Sequence, residues 1–177
     1  MSNDTQSAPS HNRQTSSRHT GLLDGYKSGK SIFKEWADTQ IASLTLEHWE
    51  WGHVSLSWHI DDRFIMPDGV MFGGHIASVA DHLVALGAMT VLSQDEERFR
   101  TSRLETNFFR PLMKCEAKVE VRVTNVARRL IHVEADVLND EGKLAVRVHA
   151  VQVRVSKDRA RDRSKQNPDG SNGEGTR

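Results

Sequence analysis

The stretch GGHIASVADHLVALGAMTVL, residues 73–92, decides the fold of this chain. Successive residues of an α-helix turn by about 100°, and this angle collects most apolar side chains on one broad side: Ile76, Val79, Ala80, Leu83, Val84, Leu86 and Val91. The remaining arc, roughly 120° wide at that angle, holds His75, Ser78, Asp81 and His82. The pattern predicts one long, largely buried helix over residues 74–93 with a narrow polar stripe.

The residues on both sides of this helix predict strands. Alternation of apolar and polar residues is typical of β-structure, and it recurs over residues 44–60, 101–109, 117–123, 130–138 and 144–155. Gly52 and residues 139–142 have the composition of turns. A short helix is indicated over residues 31–42. This order predicts an α+β fold in which one helix packs across an antiparallel sheet.

The composition limits the classes of function. The chain has 24 Lys and Arg against 24 Asp and Glu, so it lacks the basic excess of a typical nucleic-acid-binding protein. The one cysteine, Cys115, allows no internal disulfide, and no Cys/His spacing suggests a metal site. No apolar run resembles a membrane helix or a signal peptide. We therefore expect a cytoplasmic protein without nucleic-acid, membrane or metal partners.

Both ends of the chain are polar. Residues 1–21 and 156–177 contain too few apolar side chains to offset the entropy cost of ordering them. The sequence therefore predicts two disordered tails around one folded domain, residues 22–155.

Asp81 is the unusual residue of the predicted helix. It lies two turns from the helix start, too far to be an N-cap, and a buried unpaired carboxylate is costly. A partner charge, hydrogen bonds, a hydrated interface between subunits or a catalytic role could compensate that cost. A solvated or hydrogen-bonded Asp at the helix edge remains an equally good interpretation.

Gly73 and Gly74 stand where the predicted helix begins. The free N–H groups of a helix start attract negative charge, and such donors can stabilise the oxyanion that forms when a carbonyl group is attacked. A tight turn that requires positive φ is the alternative explanation for the two glycines.

These residues carry a resemblance to a known family. GVMFGGHIASVAD, residues 69–81, resembles the signature of hotdog-fold acyl-CoA thioesterases, in which a pair of glycines is followed seven residues later by Asp or Glu. TSRLETNFFRP is similar to the family's strand that ends in F-x-R-P, and DEGKLAVRVHAVQVRV is similar to its last strands. The resemblance covers residues 44–155 and points to the PaaI-like branch.

The resemblance implies a long central helix wrapped by a curved antiparallel sheet. It also implies a homodimer or a dimer of dimers, active sites at the dimer interface, and no cofactor. Asp81 matches the catalytic carboxylate, which acts as a general base on water or as a nucleophile. Gly73 matches the glycine whose N–H faces the thioester oxygen, and Thr101 matches the Ser or Thr that assists from the neighbouring strand.

The chain departs from the family pattern at two positions. The family's water-binding Asn is replaced by Met66, and the His that usually precedes the glycines in the PaaI-like branch is Phe72. Asp68 and His75 lie close in sequence and are candidates to replace them.

Further residues are candidates for substrate binding. Gly74, Phe72 and His75 flank the predicted site, although His75 and His82 are better explained as residues on the helix surface or at an interface. Guanidinium groups suit phosphates, so Arg110, Arg128 and Arg129 are candidates for contact with CoA. A solvated strand end or hairpin explains these arginines equally well.

The predicted function is hydrolysis of a small or medium acyl-CoA, aryl or aliphatic, to the free acid and CoA. A catalytically inactive acyl-CoA-binding module is the alternative, because Met66 replaces the Asn. A hotdog dehydratase or hydratase is a weaker alternative, suggested by FIMPDGV, since that family requires an acidic residue where this chain has Gly74.

Overall fold

The computed structural model describes residues 18–92 and 98–155. This part of the chain forms three α-helices and six β-strands: α1 Arg18–Lys27, α2 Ile32–Gln40, β1 Ser43–Glu50, β2 His53–His59, α3 Gly73–Met89, β3 Arg98–Phe108, β4 Glu116–Val126, β5 Leu130–Leu138 and β6 Leu144–Val155. A 3-10 turn, Asp62–Phe64, lies between β2 and α3.

The strands form one curved sheet in the order β1-β2-β4-β5-β6-β3, and every neighbouring pair is antiparallel. Positive-φ glycines close two of the hairpins, with Gly52 between β1 and β2 and Gly142 between β5 and β6. The α+β class and the antiparallel sheet are confirmed.

The long helix α3 packs closely against the sheet. Val79 and Leu83 are fully buried, and burial of one such side chain contributes about 1.5–3 kcal/mol. Gly87 sets the distance to β4 and β5, because a Cβ at this position would lie 2.6 Å from Val121 Cγ1 and 3.0 Å from Val133 Cγ1. The helix ends at Met89, before the predicted end at residue 93, which is outside the described residues.

Helix α1 corrects the expected domain boundary. It begins at Arg18, inside the segment predicted as a tail, and it buries Leu23 and Tyr26 to within 1% of full burial. Its two glycines, Gly21 and Gly25, make it a weak helix former, so contacts with β1, α2 and α3 stabilise it. The rest of both predicted tails, residues 1–17 and 156–177, lies outside the described residues.

The predicted polar stripe of α3 is only half correct. Ser78 and Asp81 are exposed, whereas His75 and His82 are buried. Of the two positions expected for these histidines, the helix surface or an interface, the helix surface is therefore wrong. Other parts of the chain cover them, and the periodicity of a single helix carries no information about such contacts.

Strand β3 contains a β-bulge. Thr101 pairs with Gln152 and Arg103 pairs with Val151, so Ser102 is the additional residue. Side chains along a strand point alternately to its two faces, and the extra residue shifts this alternation by one position. Either the odd-numbered or the even-numbered residues face α3 before the bulge, and the other set faces it afterwards. The bulge therefore turns Thr101, rather than Ser102, toward the helix.

Candidate active site

Asp81 and Thr101 lie side by side on the surface between α3 and β3. The Thr101 hydroxyl donates a hydrogen bond to Asp81 Oδ1 at 2.6 Å. Asp81 is exposed to solvent, so its carboxylate is held in place by a hydroxyl and still faces water. Such a carboxylate can accept a proton from a water molecule.

A third polar side chain lies beneath this pair. Gln152 on β6 is fully buried, and its Oε1 lies 3.1 Å from Thr101 Oγ1. Its Nε2 has no hydrogen-bond partner among the described residues. The sequence analysis missed Gln152, although one signal was present. Gln152 is a polar residue on the same face of β6 as the buried Val148 and Ala150.

Gly73 and Gly74 form the first turn of α3. Phe72, the N-cap, provides no side-chain hydrogen bond, and the two glycine amides have no acceptor among the described residues. Neither glycine has positive φ, so the tight-turn explanation is wrong. A Cβ at Gly74 would lie 2.6 Å from Phe72 Cε1, so a side chain there would displace the exposed Phe72 ring. The arrangement leaves two amides available to an oxyanion.

A single copy of the chain does not bring Gly73 and Asp81 together. The two residues are eight positions apart in one helix, which corresponds to about 12 Å along the axis at 1.5 Å per residue. One thioester carbonyl group cannot contact both within the same copy.

Exposed apolar side chains surround the start of α3. Phe72, Phe108, Phe109 and Met113 each have more than half of their surface exposed. The Phe108 ring approaches Gly73 so closely that a Cβ there would lie 3.7 Å from its Cζ. The open amides are therefore flanked by rings that can contact an apolar group.

His75 and His82 are both sequestered from the Asp81 surface. His75 stacks on Phe64 with ring centroids 3.4 Å apart, and burial lowers its pKa. The proposed substrate-binding position of His75 is thus corrected to a buried stack. His82 packs among Tyr26, Phe33 and Trp36 from α1 and α2, and burial lowers its pKa to about 4. The His82 ring is therefore held as a neutral imidazole at pH 7.

The three candidate arginines lie at opposite ends of β6. Arg110 Nη1 donates to the Leu144 carbonyl, whereas the Arg129 carbonyl accepts from the Arg154 amide. Ten residues of strand separate these contacts, or about 33 Å. Arg128 lies beside Arg129 in the exposed β4–β5 hairpin. A phosphate group that contacts Arg110 therefore cannot also contact Arg128 or Arg129 of the same copy.

The position of the family's Asn holds the apolar Met66. Met66 lies in a turn in which its carbonyl accepts from the Gly69 amide and its amide donates to the Val70 carbonyl. Asp68 Oδ1 accepts the Val70 amide and so stabilises the same turn. His75 is buried and so cannot hold a water molecule beside Gly73, whereas Asp68 is exposed and uses only Oδ1 in this turn.

Comparison with known proteins identifies the fold and a matching family model. Residues 68–146 match the family model of the thioesterase superfamily. A thioesterase from Haemophilus influenzae superimposes with a TM-score of 0.64 at 16% identity, over 76% of this chain and 90% of that chain. No curated protein matches in the sequence comparison.

Two further similar structures contain coenzyme A or its acetyl ester. A hypothetical thioesterase from Streptococcus pneumoniae with coenzyme A gives a TM-score of 0.59 at 14% identity, covering 64% of this chain and 86% of that chain. A Streptococcus mutans protein bound to acetyl CoA gives 0.59 at 16% identity, covering 64% and 90%.

Within residues 18–92 and 98–155, no helix has the length and hydropathy needed to cross a membrane, and no cluster of His, Cys, Asp and Glu could hold a metal ion. The signature glycines, the Asp81–Thr101 pair and the wrapped helix all lie in or beside the segment that matches the family model. The chain therefore has the hotdog fold, and its residues 68–146 match the model of the thioesterase superfamily.

Proposed function

We propose that this protein is an acyl-CoA thioesterase that hydrolyses small or medium acyl-CoA substrates. The observation that carries the proposal is the hydrogen bond from Thr101 to Asp81 on an exposed part of α3. A structural Asp would need no free carboxylate oxygen, whereas a general base needs one that faces water. Membership of the PaaI-like branch and a cytoplasmic location remain predictions.

Asp81 acts on water in this mechanism. Thr101 fixes Oδ1, and Oδ2 takes a proton from a water molecule as its oxygen adds to the thioester carbonyl carbon. The C–S bond of the resulting oxyanion then breaks, and the CoA thiolate receives the proton from Asp81. The acid and CoA are released, and the carboxylate is restored.

A second copy of the chain supplies the oxyanion donor. The separation of about 12 Å between Gly73 and Asp81 along one helix means that the amide must come from another α3. The outer edge of β3 has no neighbouring strand among the described residues, and an open edge can pair with the same strand of a second copy. This arrangement supports a homodimer, alone or within a dimer of dimers, with sites at its interface.

The surroundings of Gly73 support an apolar acyl group. Phe72 and Phe108 flank the amide that would receive the thioester oxygen, so an aryl or short aliphatic group can pack against their rings. CoA is supported as the thiol by its presence in the two streptococcal structures. Arg128 and Arg129 from one copy and Arg110 from another are candidates for its phosphates.

Substitution of Asp81 tests the proposal. A panel of acyl-CoA substrates is assayed by release of free thiol, and Asp81→Asn is compared with the parent protein. We expect kcat to fall about 10²–10⁴-fold, the range for loss of a general base, while acyl-CoA binding and the oligomeric state persist. Asp140→Asn is the matched control, because Asp140 is an exposed carboxylate in the β5–β6 turn.

Each outcome of this assay assigns a function. Hydrolysis that persists in Asp81→Asn contradicts the mechanism and leaves Asp81 as an interfacial polar residue. Acyl-CoA binding by the parent protein without hydrolysis of any substrate identifies the inactive binding module, as the Met66 substitution would suggest. Addition of water to an enoyl-CoA without release of thiol identifies a hydratase.

A further inference from the structure

We infer that Gln152 is a positioning residue that directs the Thr101 hydroxyl proton to Asp81. The inference rests on the proposed function for its catalytic consequence. It depends on three polar groups in a row: the Gln152 amide, the Thr101 hydroxyl and the Asp81 carboxylate, separated by 3.1 Å and 2.6 Å.

A count of protons shows what the Gln152 amide must do. The Thr101 hydroxyl has one proton and can give it to only one acceptor. With Gln152 Oε1 facing the hydroxyl, this oxygen competes with Asp81 Oδ1 for that proton. A half rotation of the terminal amide exchanges its two ends without changing its shape. Nε2 then donates to Thr101 Oγ1, and the hydroxyl proton is committed to Asp81.

Burial favours this rotated amide. Gln152 is fully buried, and within residues 18–92 and 98–155 its Nε2 has no acceptor when Oε1 faces Thr101. A buried N–H without an acceptor is rarer and costlier in proteins than a carbonyl oxygen without a donor. The rotation gives Nε2 an acceptor, and it arranges the three groups as a chain in which each hydrogen bond strengthens the next.

The bulge in β3 aligns the three polar groups. It places Thr101 opposite Gln152 in the strand pairing, with the Thr101 side chain against Asp81 of α3 and the Gln152 side chain buried beneath it. The remaining inward positions of β6 near this point, Val148 and Ala150, are apolar and buried. An apolar residue at position 152 would therefore fit the core, so the buried amide is explained by its contact with Thr101.

Gln152→Met tests the inference in the full chain, because Met keeps the size of the side chain and removes both polar ends. We expect kcat for the best acyl-CoA to fall about tenfold, the equivalent of one hydrogen bond to a charged network, with KM unchanged. In Thr101→Val the same substitution should have no further effect, because Gln152 acts through Thr101. Val148→Ala is the control: it leaves a cavity in the same strand face and should leave kcat unchanged.

Three kinetic results would overturn the inference. They are a parental kcat in Gln152→Met, a tenfold loss that persists in the Thr101→Val background, and an equal loss of kcat in Val148→Ala. An absence of thioester hydrolysis by the parent protein would instead refute the proposed function.

The inference also has a test that needs no activity. The side-chain amide of Gln152 is assigned in a ¹⁵N–¹H spectrum by the signal missing from Gln152→Met. We expect this signal to shift in Thr101→Val and its hydrogen exchange to accelerate, because Nε2 loses its acceptor. A signal unchanged in position and exchange rate in Thr101→Val means that Nε2 does not face the hydroxyl, and it refutes the positioning role.

Discussion

His82 predicts how the stability of this domain depends on pH. Its ring is 7% exposed, lies 3.3 Å from the Tyr26 hydroxyl, and has its pKa lowered by burial from 6.5 to about 4, against opposing contributions from Asp81 and Asp38. Between these two values the unfolded chain carries a proton on His82 that the folded chain does not. Stability therefore rises with pH across this window and is lost on acidification.

The size of the effect follows from the two pKa values. At pH 5 the unfolded state is stabilised by about 2 kcal/mol relative to pH 7.5 through His82 alone, since each unit of pH between the folded and unfolded values contributes about 1.4 kcal/mol. This is a substantial part of the free energy of unfolding of a typical domain, about 5–15 kcal/mol.

Urea denaturation at pH 7.5 and pH 5 measures the effect. His82→Gln cannot titrate, so we expect the parent protein to lose about 2 kcal/mol more than this variant over the same pH interval. His48→Gln, which removes an exposed histidine, is the control and should behave like the parent. Protein concentration is held constant because an oligomer's stability depends on it. If His82→Gln and the parent lose equal stability, the buried neutral imidazole is not the origin of the pH dependence.

Other predictions test packing, boundaries and assembly. Gly87→Ala should lower the free energy of unfolding by about 1–3 kcal/mol through overpacking against Val121. Gly21→Ala, with nothing within 4 Å of its new Cβ, should raise the free energy of unfolding by about 0.5–1 kcal/mol. Equal effects of the two substitutions in urea denaturation would contradict the close approach of α3 to the sheet. A shortened chain of residues 18–155 should keep the thermal midpoint and the activity of the full chain. Further removal of residues 18–27 should lower the thermal midpoint, because Leu23 and Tyr26 are buried. An unchanged midpoint after this second removal would show that α1 adds no stability. Light scattering at micromolar concentration should report a dimer or tetramer, and a monomer that hydrolyses acyl-CoA would refute the shared site.

The sequence predicted the later strands well because their pattern is uninterrupted. The bounds of β5 and β6 coincide with the predicted 130–138 and 144–155, where inward residues alternate regularly and a Gly142 turn separates the strands. Strand β3 was predicted to start at residue 101 and begins at Arg98, since the bulge at Ser102 breaks the alternation.

Contacts between distant segments could not be predicted. The cover over His82 comes from α1 and α2, and α1 has neither a strong helix composition nor an apolar periodicity. The resemblance indicated Asp81 and Thr101, whose side chains do make contact. Gln152 joins them only through strand pairing across 51 residues, which no local pattern encodes.

The position of β3 at the sheet edge has a consequence for the newly made chain. Its one strand partner among the described residues is β6, the C-terminal strand of the sheet. Thr101 leaves the ribosome 51 residues before Gln152, an interval of about 3–10 s at usual rates of translation. Throughout that interval the nascent polypeptide carries Asp81 without a fixed hydroxyl beside it. A chain terminated prematurely after β5 would contain Asp81 and Thr101 but lack β6, the strand that holds Thr101 in place. Under the proposed mechanism, activity would therefore begin only when the sheet is complete.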